Sequence, residues 1–501
     1  MFRSTALEFW ILFAIAAAAA IAPLCLAEYL PMIDLPQHAA QLSIGQGWSD
    51  PHFHYQELYQ VNWLLNHVLA MLIASLIGLF VPAAAAMKAV VILAVVATPL
   101  SVAWLLRRLR ADLFWALPVF ITTFGYAFCW GFVDFMLAVP VGVALLAACF
   151  AYCEQPTRGH WWMLLGLMLL CFAAHILVLG LVGLIACGLI FCAQLTQREK
   201  LLGVSALALA IPPFIAITWA TRHAAPPDTA HPPLEAAFGL QRVHDLLVYQ
   251  VGINDPQNTL TLWGAVLLIL PWLMGARPSK SLRRWLPFAL TLLVFFAIPK
   301  DMMGVAFIYG RYAIFLLPTL LIALDPPQAP RRVQRYLAFC VVLAGLLLTG
   351  AKIRAFNTEA SGINAVIEHV PPHHRVLYLG VHNTGLVAPY PAYLHFGCYY
   401  QVKRGGPVDF SFAEFFANRY RYKPEADPNL PPNIEWRPEL FRWAVHDGYR
   451  YDYLLVRGPT MDAWFMDAPV QVRQIAENGE WHLLGLAPLP ASPTPPPPAA
   501  L

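Results

Sequence analysis

About eleven times along this chain an apolar run reaches the length of a bilayer crossing, and such runs leave few folds open. No water reaches the hydrocarbon layer, so each crossing segment must satisfy its own backbone, which predicts packed helices. The runs fall near residues 8–29, 84–106, 113–130, 133–153, 161–174, 176–195, 200–220, 259–275, 285–299, 312–325 and 336–350. Composition agrees. Of 501 residues, 59% are hydrophobic and 12% charged, roughly half the charged fraction of a water-soluble globule. The net charge of +3 is scattered in short basic clusters, so no nucleic-acid partner is expected. All nine cysteines except Cys398 lie in or beside apolar runs. They read as small core hydrophobes and not as a disulfide framework.

The polar links between the runs alternate in character. Arg107 to Arg110, Arg158, Arg198 to Lys200, Arg277 to Arg284 and Arg331 to Arg335 fall in every second link, and basic links stay in the cytoplasm. The first run follows Met1-Phe2-Arg3 without a small-residue cleavage site. It reads as an uncleaved signal-anchor with a cytoplasmic N-terminus. One segment, Asn62 to Phe80, is apolar enough to span but would reverse the charge rule. A helix carrying Asn62, Asn66 and His67 on one face, lying along or re-entering the outer interface, is expected there. The count is then about 11 crossings, with 12 or 13 open.

After Gly350 the apolar stretches shorten to strand length, as in Arg375 to Gly380 and Tyr453 to Arg457. The expectation is therefore an all-α polytopic membrane domain over 1–350, then a small extracytoplasmic α/β or α+β domain over 351–486. A Pro- and Ala-rich tail over 487–501 has too little to bury and is expected to be disordered. In the extracytoplasmic domain, Trp436, Trp443 and Trp464 can stack on a sugar or simply fill a core.

Chemistry gathers in the outer links. Asp34-Leu-Pro-Gln-His38 follows the first crossing, and Pro36 suits the first turn of a helix. That places Asp34 at the mouth of a short helix and His38 one turn along. Asp34 then either complements the helix dipole or serves a site. Asp134 sits among aromatics in the turn between two crossings, where a carboxylate is costly unless solvated, paired or cation-bound. His175 interrupts a long apolar run and reads first as a satisfied turn residue. Arg311, in Tyr309-Gly-Arg311-Tyr312, either snorkels or grips a phosphate. His52 and His54, two apart, can join Asp34 and His38 around a divalent cation such as Mg or Mn. The link from 221 to 258 holds Arg222, His223, Asp228, His231, Glu235, Arg242, His244 and Asp245 at irregular spacing, which suits a mobile loop over a site better than a metal cage.

This constellation resembles the GT-C class of membrane glycosyltransferases. A signal-anchor, an outer loop opening with Asp34, a flat second helix, Asp134 in the second outer loop, about 11 crossings and an outer C-terminal domain together carry the likeness. The Asp-x-Pro-x-His stretch is similar to that of bacterial members. The resemblance implies a bacterial inner-membrane enzyme. Its donor is a polyprenyl-phosphate-linked sugar, taken sideways from among the membrane lipids, and its acceptor is an extracytoplasmic glycan, lipid or protein. It further implies Asp34 as general base, with Asp134 orienting the acceptor or holding phosphate through an ion. Arg311 would bind the phosphate, and His38, His175 and Tyr309 would contact substrate. Where related enzymes carry an acidic pair, this chain has Leu35 beside Asp34, so metal dependence stays open. Two rivals also stay open: a transporter or flippase of a lipid-linked saccharide, and a non-catalytic assembly scaffold.

Overall fold

The computed structural model describes residues 2–63, 65, 67–224, 238–302, 305–327, 332–415 and 418–488. Helices dominate, and six are long and apolar enough to cross a membrane: Ala6–Leu26, Ala83–Arg108, Leu113–Trp130, Val133–Glu154, Gln197–Ile217 and Arg332–Ile367. Shorter apolar helices cover Arg158–Ala174, Ile176–Phe191, Thr259–Leu273 and Ile308–Ile322. Together with Leu282–Ala297, these helices account for every apolar run found in the sequence. The chain is an integral membrane protein.

Several of the helices contain an internal proline, at Pro23, Pro99, Pro140 and Pro271, which membrane helices tolerate more readily than soluble ones. Close approach depends on small residues. A Cβ on Gly264 would lie 2.0 Å from the Leu247 carbonyl oxygen, so only glycine lets Thr259–Leu273 lie against Gln241–Val248.

The basic links come together. Arg108 pairs with Glu154, Arg335 with Asp112 at 2.7 Å, Arg284 with Asp325, and the Tyr152 hydroxyl donates to the Glu199 carbonyl. The acidic and histidine-bearing links meet elsewhere, as described below.

Among the described residues of the 62–80 segment, the helix covers Leu69–Ile77. Nine residues rise about 14 Å, half a bilayer. It packs on Leu35–Gln46 and on Ala83–Arg108. The expected face of Asn62, Asn66 and His67 does not form. Asn62 follows a strand and donates its amide to the Arg419 carbonyl, His67 precedes the helix, and Asn66 lies outside the described residues.

Beyond the membrane helices a five-stranded sheet forms in the order Val408–Asp409, Val376–Gly380, Tyr453–Arg457, Trp481–Pro488, Val470–Asn478. The first three strands are parallel and the last two pairings antiparallel. Val376–Gly380 is buried throughout, as expected of a central strand in a parallel pairing. The Arg332–Ala360 helix runs without a break past residue 350, and the last strand reaches Pro488; the rest of the Pro-rich tail lies outside the described residues.

The sheet region is tied to the membrane helices. Strand Tyr59–Val61 pairs with Tyr420–Tyr422. Beneath that ribbon, the fully buried Asp409 accepts from the Arg375 guanidinium at 2.7 Å and from the Tyr422 hydroxyl at 2.5 Å. Trp443 and Trp464 are buried in the core below the sheet, while Trp436 is 43% exposed.

Candidate active site

Asp34 occupies the N-cap position of the Leu35–Gln46 helix, yet its side chain makes no capping hydrogen bond. A capping carboxylate bonds the amide at N2 or N3; N2 here is Pro36, which has none, and the Asp34 side chain leaves the Gln37 amide at N3 uncapped. The carboxylate turns instead to His395, with Oδ1 3.1 Å from Nδ1. Both side chains are largely buried, 14% and 6% exposed. The pair is close but poorly aligned for a hydrogen bond, and His395 Nδ1 has no hydrogen-bond partner among the described residues.

The backbone here is clamped from two sides. The amides of Ile33 and Asp34 donate to the carbonyls of Cys129 and Trp130, at 3.0 and 2.9 Å. Gly131 makes this docking feasible: its φ is +79°, and a Cβ there would lie 2.7 Å from the Asp34 nitrogen. On the other side, the buried Gln37 side chain donates to the Phe410 carbonyl and accepts from the Phe412 amide. Phe410 and Phe412 flank the His395 ring, with centroids 5.7 and 5.3 Å away. The His38 ring meets the same Phe412 edge-on at 6.0 Å.

Asp134 lies three residues past Gly131, in the first turn of Val133–Glu154. It is half-buried, with no hydrogen bond or ion pair to another described residue. Arg311 stacks its guanidinium on Phe132 at 3.6 Å and donates to the carbonyls of Ala306 and Phe307. It interacts electrostatically with Asp34 and His175. His175 caps Ile176–Phe191, accepting from the Leu177 amide at 3.1 Å, and stacks on His67. Both acidic loops, Arg311 and the His67–His175 pair thus share one neighbourhood.

Other expected site residues are placed elsewhere. Tyr309 commits its hydroxyl to Asp245 at 2.7 Å and lies under Arg242. Arg242 is itself buried and bonded to the carbonyls of Phe295 and Phe296. This part of the 221–258 link is therefore packed helix and not a mobile loop; Asp228, His231 and Glu235 lie outside the described residues. His52 and His54 are not on one strand face. Pro51–Phe53 is a 3₁₀ turn, His54 has φ +53°, and each imidazole pairs with its own neighbour, Asp50 or Glu57. Among the described residues no three His, Cys, Asp or Glu side chains are grouped to hold a metal. Asp34, His38, His52 and His54 do not form such a group.

Sequence reasoning missed His395 and Glu435. Glu435 lies within electrostatic reach of His395, and burial pushes its carboxyl above the ordinary glutamate value, against that histidine's pull. Its Oε2 is buried without a hydrogen bond. Trp436, next in sequence, stands 6.5 Å from Trp130, which stacks on Phe307 at 4.0 Å. On the far side of the Asp34 segment, Pro31, Cys129, Trp263, Lys352 and Tyr390 line a largely apolar cavity of about 560 Å³.

No family model matches the chain, and no curated protein does. Two solved structures are similar over nearly the whole length. The crystal structure of ArnT from Cupriavidus metallidurans bound to undecaprenyl phosphate superposes with a TM-score of 0.54 at 12% identity, covering 95% of this chain and 98% of that one. ArnT from the same organism in the apo state gives 0.52 at 13% identity, covering 96% and 98%. The chain therefore has an ArnT-like fold over the covered 95–96% of its length.

Proposed function

We propose that the protein is a glycosyltransferase of the bacterial inner membrane that moves a sugar from a polyprenyl-phosphate carrier to a hydroxyl of an extracytoplasmic glycan, lipid or protein. The observation that carries this reading is Asp34. Its carboxylate is withheld from the helix cap and buried beside His395 and Arg311, in a chain with the fold of a protein crystallised with undecaprenyl phosphate.

In this reading Asp34 takes the proton of the acceptor hydroxyl as its oxygen bonds the anomeric carbon. The bond from that carbon to the phosphate oxygen breaks, and its electron pair leaves with the polyprenyl phosphate. Arg311, held in place by Phe132 and two carbonyls, meets the developing phosphate charge. Asp134, uncommitted to other side chains, orients the acceptor, and His38 and His175 border the substrate. Tyr309 acts more remotely, by holding the helix that carries Arg311. The sheet region and the Asp34 loop then face the extracytoplasmic side, and the basic links face the cytoplasm.

The test is mass spectrometry of lipid-linked saccharides and envelope glycans in cells lacking the protein. A product one sugar short, with its donor accumulated, supports transfer. Loss of whole saccharides from the outer face, with no truncated product, would instead favour a flippase.

A further inference from the structure

A membrane enzyme of this shape can carry its outer domain as a mere appendage. Here the packing argues otherwise. The side chain paired with the Asp34 carboxylate at 3.1 Å comes from the sheet region, 361 positions away in sequence. Its ring is gripped on two sides by Phe410 and Phe412, and those two residues are held in turn by Gln37 of the helix that Asp34 opens. The arrangement is closed on itself: the helix fixes the aromatic cradle, the cradle fixes His395, and His395 faces the residue at the helix mouth. An imidazole 6% exposed, with Nδ1 unpaired by any good hydrogen bond, is expensive to bury idle. The charged groups facing it are Asp34 on one side and Glu435 on the other, with Arg311 beyond Asp34 and Glu414 beyond Glu435.

We propose that His395 is a positioning residue for Asp34, which makes the C-terminal region a working part of the active site. The inference rests on reading Asp34 as the base. As the acceptor approaches, a small turn of the carboxylate converts the 3.1 Å contact into an aligned hydrogen bond. One Asp34 oxygen is then engaged and the other is aimed at the incoming hydroxyl. The proton still passes from acceptor to Asp34, and His395 touches neither substrate.

The experiment uses full-length protein in membranes of the deletion strain and follows the product found by saccharide profiling. His395→Ala is expected to lower kcat about 100-fold with KM within about twofold, since orientation and not binding is lost. His395→Gln, whose amide can still donate to the carboxylate, should recover about a tenfold part of that loss. Asp34→Asn should leave only a small residual rate, and adding His395→Ala to it should lower that rate no further, because residues acting as one unit are not additive. A His395→Ala enzyme within about twofold of wild type would overturn the proposal, as would losses that multiply in the double variant. If wild type itself transfers no sugar, the glycosyltransferase reading fails separately. The contact is then decided by carbodiimide labelling of the purified protein, read by mass spectrometry. His395→Ala should raise Asp34 labelling several-fold while leaving Asp255, held by Thr261, unchanged. Equal Asp34 labelling in both proteins would show that His395 does not govern that carboxylate.

Discussion

Replacing Gly131 by alanine probes the docking of the two acidic loops without touching either carboxylate. The residue sits at φ +79°, where a Cβ costs roughly 1–2 kcal/mol. That Cβ would also stand 2.7 Å from the Asp34 nitrogen and 2.9 Å from that of Leu35. Both atoms are backbone, so they cannot rotate aside as a flexible side chain would. The Asp34 segment must withdraw by several tenths of an ångström or more, which strains the hydrogen bonds from Ile33 to Cys129 and from Asp34 to Trp130. Each is worth about 1 kcal/mol, so the combined loss is about 3–4 kcal/mol if both break. At the site, a displacement approaching 1 Å costs on the order of 100-fold in rate. Gly166→Ala is the control. It lies inside Arg158–Ala174 with nothing within 4 Å of a new Cβ and should leave transfer unchanged and stability the same or higher by up to about 1 kcal/mol. Thermal unfolding of the purified protein reads the first effect, and restoration of the glycan product in the deletion strain reads the second. A Gly131→Ala protein that melts and transfers like wild type would refute the claim that the two loops are held in contact.

Further outcomes follow from other parts of the structure. Asp409→Ala leaves Arg375 buried without its carboxylate and should cost about 3–5 kcal/mol, read as a lowered melting temperature and easier proteolysis of the sheet region; an unchanged melting curve would contradict the placement of that pair. Arg311→Gln removes one charged contact to a phosphate and should weaken binding of undecaprenyl phosphate about 10- to 100-fold, measured by ligand-induced thermal shift; equal shifts would remove Arg311 from the donor site. Glu435 supplies a pH signature. Its folded carboxyl lies above the ordinary glutamate value of 4.5, so the native state holds more protons than the unfolded one between those two values. Its contribution is greatest below about 4.5 and is lost as pH rises through the raised value. Glu435→Gln should therefore unfold at a higher temperature than wild type at pH 7, and the gap should close by about pH 4. A gap that widens on acidification would reverse the sign and refute the burial argument.

The membrane part of the fold was legible because lipid imposes one rule on every backbone group. Each apolar run read from hydropathy, including the broken stretch Leu113–Trp130, is helical, and six of those helices are long and apolar enough to cross a membrane. The helix after Asp34 was legible too, since Pro36 favours a first turn. The sequence could not show that the Asp34 carboxylate leaves the Gln37 amide at N3 uncapped and turns to His395. That depends on which neighbour is present to receive it. His395 was invisible for a similar reason. Tyr393-Leu-His395-Phe-Gly has no spacing that marks a site, and only the docking of the sheet region on Gln37 and Gln41 brings it to Asp34. His52 and His54 misled because their spacing of two suggests a strand face, whereas Pro51 and a left-handed His54 turn the chain. Tyr309 and Arg311 share a motif but part company, one to Asp245 and the other to Phe132, because residues two apart on a helix do not face the same neighbour.

The measurement that bears most directly on the account compares lipid-linked saccharides and envelope glycans in the deletion strain carrying wild type, Asp34→Asn, or no copy, with the two proteins matched in membrane abundance. The account predicts that wild type restores the full product, and that Asp34→Asn leaves it one sugar short with the polyprenyl-phosphate donor accumulated, as in the strain with no copy. Full restoration by Asp34→Asn would contradict it, and would return Asp34 to a structural role.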